Sequence, residues 1–152
     1  MDRYDRQILE ILQDDATVPV AELGERVGLT ATPCWRRVQK LEESGVIRKR
    51  VALLDPARLN VGVTVFVSVR TSQHNDRWLK QFHALVASIA EVTEFYRMAG
   101  DTDYLLRVVV PDIAAYDRVY KKLIQGAELA DVSSSFAMEQ IKYTTALPLD
   151  YA

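Results

Sequence analysis

The residues most able to do chemistry gather first between positions 30 and 50. Arg36, Arg37, Lys40, Arg48, Lys49 and Arg50 stand there against only Glu42 and Glu43, whereas residues 1–29 carry three arginines and seven carboxylates. The 152-residue chain has a formal net charge of −2, so its positive charge is focused rather than global. Focused charge attracts a polyanion even on a slightly acidic protein. Thr30, Thr32 and Pro33 lead into this run. Hydroxyl and guanidinium groups near a helix N-terminus suit both phosphates and base edges in the major groove. Arg36 and Arg37 are each able to donate two parallel hydrogen bonds to a guanine or to a phosphate, and Arg48, Lys49 and Arg50 are placed to clamp the backbone. The expected DNA contacts are therefore Thr30, Thr32, Pro33, Arg36, Arg37, Lys40, Arg48, Lys49 and Arg50. A charge run alone reads more simply as the solvated face of a surface helix; the helical punctuation around this one favours the DNA reading.

A second candidate is the stretch Gly100-Asp101-Thr102-Asp103. Glycine leaves backbone N–H groups approachable by a carboxylate, and Asp101 or Asp103 can pair with an ammonium group. A free amino acid carries both charges. Ser133, Ser134 and Ser135 offer hydroxyls, and Tyr96 and Met98 an apolar wall. Glycine and aspartate are equally the expected residues of a hairpin turn, and both readings stand at this level. His74 and His83 have no metal-ligand spacing, and Cys34 reads as a small buried apolar residue. Trp35 fits either packing or an interface. No phosphate-binding glycine loop, nucleophile elbow or HExxH pair is present, and no catalytic group is assigned.

The elements that must position these groups follow from periodicity. Residues 4–14 read as a helix, with Tyr4, Ile8, Ile11 and Leu12 on one face. A second helix starts at Pro19, repeats Val20, Leu23 and Val27, and stops at Gly28. Gly24 costs about 1 kcal/mol relative to alanine inside that helix, which suggests close approach of a neighbour. Thr30 is the expected N-cap of a third helix whose inward stripe is Cys34, Val38 and Leu41. Three short helices with a tight turn before a basic third helix make a helix-turn-helix. Residues 46–60 read as a strand and linker. Strand, helix, strand, strand, helix and strand then follow over 61–69, 76–89, 92–98, 104–110, 111–124 and 132–138, with a further extended stretch at 141–147. That order is ferredoxin-like, an antiparallel sheet covered by two helices on one face. The uncovered face, expected to be rich in Val, Ile and Phe, calls for burial in a two-fold dimer, which would also present two recognition helices to a palindromic site.

Composition fits this plan. Nearly half the residues, 49%, are apolar and 26% are charged, an ordinary globular balance. No apolar run approaches the length that spans a bilayer. The first residues lack the pattern of a signal peptide, and one cysteine permits no internal disulfide. These features lead to the expectation of a cytoplasmic protein without membrane partners.

The segments Asp5–Leu12, Val20–Leu29, Thr32–Glu42 and Gly45–Ile47, continued by Gly100–Leu106, Tyr116 and Ile141–Pro148, resemble the Lrp/AsnC family of leucine- and asparagine-responsive regulators. The resemblance covers essentially the whole chain. It departs at Thr30-Ala31, where the family often has Ser-Pro. It implies a DNA-binding transcriptional regulator, not an enzyme, with a winged or simple helix-turn-helix (residues 1–50), a strand-bearing hinge (51–60) and an effector-binding, oligomerising ferredoxin-like domain (61–152). It further implies an amino-acid effector, no cofactor or metal, effector binding at Gly100, Asp101 and Asp103 and, less directly, at the serines. Dimers assembling to tetramers or octamers and a nucleoid-associated location complete the picture. The alternative is an enzyme resembling the sirohaem decarboxylases, which share the two-domain plan; two histidines are few for a haem-like pocket.

Overall fold

The computed structural model describes all of residues 1–152. The chain forms two compact units, one made of Met1–Leu53 together with Ile141–Ala152 and the other of Leu54–Gln140.

The first unit is built on three helices, α1 (Arg3–Asp14), α2 (Val20–Val27) and α3 (Ala31–Glu43). Asp2 caps α1 reciprocally with Asp5, each side chain accepting the other's backbone N–H. Gly28 ends α2 in the left-handed conformation at φ 76°. The chain then folds straight back, the Leu29 N–H donating to the Gly24 carbonyl at 2.8 Å. Ile8, Leu9, Leu23, Val27, Cys34, Val38 and Leu41 close a small core between the helices. This is the helix-turn-helix expected from the spacing.

Residues 46–60 form no strand, contrary to expectation. Val51, Leu53 and Leu54 are exposed and pair with no ladder, and a strand without a ladder leaves its backbone groups to water. Beyond them Asp55–Val61 is a compact turn, its Val61 N–H bonded to the Pro56 carbonyl at 2.9 Å.

The tail also departs from expectation. Residues 141–147 add no strand to the sheet, and Ile141–Ala152 group with the helical unit. The tail lies instead on α1. The Gln13 side chain donates to the Leu147 carbonyl at 3.2 Å and accepts the Leu147 N–H at 2.6 Å, Arg6 bonds the Ala152 carbonyl, and Leu149 packs on the helical core. A side-chain amide meeting both backbone groups of one residue satisfies that residue as a strand partner would.

The second unit is the expected α+β plan. Strands β1 (Val63–Arg70), β2 (Val92–Arg97), β3 (Tyr104–Val110) and β4 (Asp131–Phe136) form one antiparallel sheet in the order β2-β3-β1-β4. Helices α4 (Asp76–Ala87) and α5 (Ile113–Gly126) cover one face. Val65, Val67, Val69, Leu106, Val108 and Val110 point to the helices and are buried with Phe82, Val119 and Leu123. Strand alternation sends the intervening residues to the other face. There Phe66, Leu105 and Val109 are interspersed with Thr64, Ser68 and Arg107, so the open face is mixed rather than the Val-, Ile- and Phe-rich surface expected. Aliphatic residues concentrate where both periodicity and burial demand them, on the helix side.

Candidate DNA interface and effector site

Helix α3 turns Cys34, Val38 and Leu41 inward, leaving Thr32, Pro33, Arg36 and Lys40 exposed. Thr30 occupies the N-cap position, but its hydroxyl makes no capping bond. It stays available beside the free N–H groups of the first turn. Arg36, Lys40, Arg48 and Lys49 form no ion pair. Arg50 departs from the expected set, its guanidinium meeting Glu42 at 2.9 Å. Trp35 is 52% exposed and edges a shallow groove with Val18, Val20 and Leu23.

Arg37 is the main correction. Consecutive helical residues point about 100° apart, so Arg36 and Arg37 cannot share one outward direction. Arg36 takes the open face; Arg37 turns toward α1. Its Nη1 donates to the Asp2 carboxylate at 2.7 Å and the Asp5 carboxylate at 2.8 Å, and its guanidinium lies 5.2 Å from the centre of the Tyr4 ring. The Asp5 backbone N–H and Arg37 together hold the Asp2 carboxyl below the ordinary carboxylate range. Burial pushes the Cys34 thiol up, opposed by the charge of Arg37, which agrees with an inert packing role.

In the second unit the Gly100–Asp103 segment is the β2–β3 turn. Gly100 has φ 118°, a conformation suited to glycine, and the Met98 N–H closes the turn on the Asp103 carbonyl at 2.8 Å. Asp101 is exposed, whereas the Asp103 carboxylate accepts the N–H of Thr71 at 2.8 Å. Asp103 is thus held by Thr71 through Oδ2, and its other oxygen has no hydrogen-bond partner within the chain. The serines divide between two faces, as strand alternation requires. Ser133 and Ser135 lie opposite Ser68 and Phe66 on the open side, while Ser134 turns to α5 and hydrogen-bonds the Tyr116 hydroxyl. Tyr96 and the serines sit on opposite edge strands, separated by β3 and β1, about 14 Å at the usual strand spacing. Within one chain they do not meet in a single site.

A feature absent from the sequence reading lies behind the turn. The start of α4 and the end of α5 enclose a half-open cleft of about 620 Å³, with Gln73, Asn75, Arg77, Trp78, Gln125 and Glu128 among its walls. Trp78 is only 8% exposed, and its indole N–H has no hydrogen-bond partner. Arg77 makes no ion pair, whereas the Glu128 carboxylate accepts from Gln73 at 3.2 Å. Thr71 ties the cleft to the turn. Its N–H goes to Asp103, its hydroxyl accepts from the Gln73 backbone at 3.0 Å and faces the Glu128 carbonyl at 3.4 Å. The only hint of this arrangement in the sequence is the capping residue Asn75, whose side chain accepts the Trp78 N–H at 2.9 Å.

Comparison with known proteins decides the lineage. Residues 64–147 match the family model of the Lrp/AsnC ligand binding domain, and residues 1–48 match a winged helix-turn-helix DNA-binding model. The chain belongs to the Lrp/AsnC family. Among curated Lrp/AsnC-like relatives, it is 51% identical to the glutamate uptake regulatory protein of Zymomonas mobilis, over 98% of this chain and 91% of that one. It is 48% identical to the DNA-binding transcriptional activator DecR of Escherichia coli, over 99% of both. Among solved structures, an AsnC family transcriptional regulator from Agrobacterium tumefaciens is similar at a TM-score of 0.96, with 67% identity and 99% of each chain covered. The L-Met complex of regulator NMB0573 from Neisseria meningitidis follows at TM-score 0.94 and 36% identity, covering 99% of this chain and 98% of that one. The Lrp/AsnC match includes residues 141–147, the part of the tail that here lies on α1.

Proposed function

We propose that this Lrp/AsnC regulator binds duplex DNA through Thr30, Thr32, Pro33, Arg36 and Lys40 at the start and outer face of α3, with Arg48 and Lys49 on the backbone, and that an amino acid modulates it. The observation that carries the DNA assignment is the set of four cations, Arg36, Lys40, Arg48 and Lys49, left exposed and without carboxylate partners around a helix seated in a helix-turn-helix. Free guanidinium and ammonium groups release counterions on meeting phosphates, which makes binding steeply salt-dependent. The names of the relatives, which are regulators and activators, favour this reading over a sirohaem-decarboxylase-like enzyme. It acts on the nucleoid, in the cytoplasm, as a dimer able to assemble to tetramers or octamers. Exposed Val51, Leu53 and Leu54 and the mixed sheet face supply surface for that association.

The effector occupies the cleft between the two helix ends. A helix N-terminus carries partial positive charge and a C-terminus partial negative charge. The α4 end, with Arg77 and the unpartnered Trp78 N–H, suits a carboxylate; the α5 end, with Glu128, suits an ammonium group. A cleft offering unlike charges at its two ends complements a zwitterion, and the L-Met complex of the Neisseria relative supports the class. Met98, Tyr96, Gly100 and Asp101 line or adjoin the turn that Asp103 braces against Thr71. The test has two arms. Arg36→Ala with Lys40→Ala weakens binding to a duplex selected by the wild type at least tenfold without lowering the unfolding temperature; wild-type affinity overturns the DNA assignment. A panel of α-amino acids includes one that raises the unfolding temperature of the wild type but not of Arg77→Ala; a panel with no such member overturns the effector site.

A further inference from the structure

The ion cluster joining α3 to α1 has a consequence for DNA recognition. Arg37 sits next to Arg36 in sequence, yet the two guanidinium groups face different surroundings. That of Arg36 is exposed and unpaired. That of Arg37 is placed between the carboxylates of Asp2 and Asp5, both reached by the same Nη1, and against the Tyr4 ring. Tyr4 also has the guanidinium of Arg3 at 5.2 Å. Asp2 and Asp5 are in turn fixed by the reciprocal cap of α1. The charge of Arg37 is thus already matched by two carboxylates at hydrogen-bond distance. A phosphate approaching Arg37 meets those carboxylates as well, and the repulsion offsets the attraction.

We propose that Arg37 is a positioning residue for DNA recognition, with Asp2 and Asp5 as its seat: the cluster fixes the roll of α3 on α1 so that Arg36 and Lys40 face outward. A planar guanidinium gripped by two carboxylates and an aromatic face has a defined direction, which an apolar contact at this edge of the core does not impose. Rotation of α3 by one residue step, about 100°, would put Arg37 in the place of Arg36, and a fraction of that step already turns Arg36 and Lys40 away from their outward direction. The two carboxylates, although negative, are therefore required for binding a polyanion.

The experiment measures affinity of the full-length protein for two duplexes over a range of salt. One duplex is selected from a random library by the wild type, and the other is a scrambled control of the same composition. Asp2→Asn with Asp5→Asn lowers the preference for the selected duplex at least tenfold and keeps the wild-type salt slope. Arg37→Gln does the same, and the triple variant loses no more than either. Arg36→Ala, by contrast, flattens the slope by about 0.9 for each phosphate contact removed. Asp5→Glu, which keeps the carboxylate, retains most of the preference, so that loss in the amide variants is not simple unfolding. An unchanged or tightened affinity in Asp2→Asn with Asp5→Asn overturns the proposal, as does a flattened slope in Arg37→Gln.

Discussion

Replacing Gly24 by alanine sets two effects of known sign against each other. In a free helix the change is favourable by about 1 kcal/mol. In this fold a Cβ at Gly24 meets the Leu29 carbonyl oxygen at 2.7 Å and the Thr30 oxygen at 3.3 Å. Both are main-chain atoms of the turn, so no side chain can swing aside. The turn must retreat by more than half an ångström, at an overpacking cost of about 1–3 kcal/mol. The same displacement strains the Leu29 N–H to Gly24 carbonyl bond, worth about 1 kcal/mol. The balance is a net loss of about 1–3 kcal/mol, confined to the helix-turn-helix. Because the chain has two compact units, the assay must report on this one. Hydrogen exchange at the Leu29 amide does so, since that proton is the one the turn protects. Gly24→Ala is expected to speed its exchange by about tenfold or more and to weaken DNA binding. Gly28→Ala is the control: its Cβ meets nothing within 4 Å, and its cost is only that of holding alanine at φ 76°. A Gly24→Ala protein with unchanged Leu29 protection and higher stability would refute the steric argument.

Two further perturbations test the second unit. Asp103→Ala leaves the nearly buried Thr71 N–H without an acceptor and is expected to cost about 1–3 kcal/mol in urea unfolding even without effector; no loss would mean that this bond does not hold the turn. Burial raises the Tyr116 phenol above its ordinary value near 10, the bond with Ser134 opposing. Because the folded pKa is the higher one, the contribution is complete below pH 10 and fades as pH climbs from there to the folded value. Tyr116→Phe should lack this alkaline loss in a pH series of unfolding midpoints, and an unaltered series would dissociate Tyr116 from it.

Much of the architecture was legible because it is local. Apolar spacing of three and four marks all five helices within a few residues, a β-branched run marks β1, and the turn at Gly100–Asp103 separates β2 from β3. What stayed hidden depends on partners distant in sequence. Nothing near Arg37 announces Asp2 and Asp5, and nothing near Asp103 announces Thr71. The cleft requires α4 and α5 to be brought together end to end, a relation no periodicity contains. The extended reading of 46–60 and 141–147 failed for the opposite reason. Val46, Ile47 and Val51 favour strand locally, but pairing needs a second strand, and in the tail Gln13 takes that role. The division of Ser133 and Ser135 from Ser134 was available from the two-residue period of a strand, once β4 was accepted as one.

The place of Leu149 beside α1 bears on how this protein is made. Synthesis runs from the first residue onward, and domains that emerge early usually finish folding early. Here the three helices leave the ribosome long before the tail that lies on them. In between, the entire sheet must be translated. The buried helical core, from Ile8 to Leu41, can close at once, Leu149 is laid on it last, and a transplant of residues 1–53 into another protein would carry that core without the tail's cover.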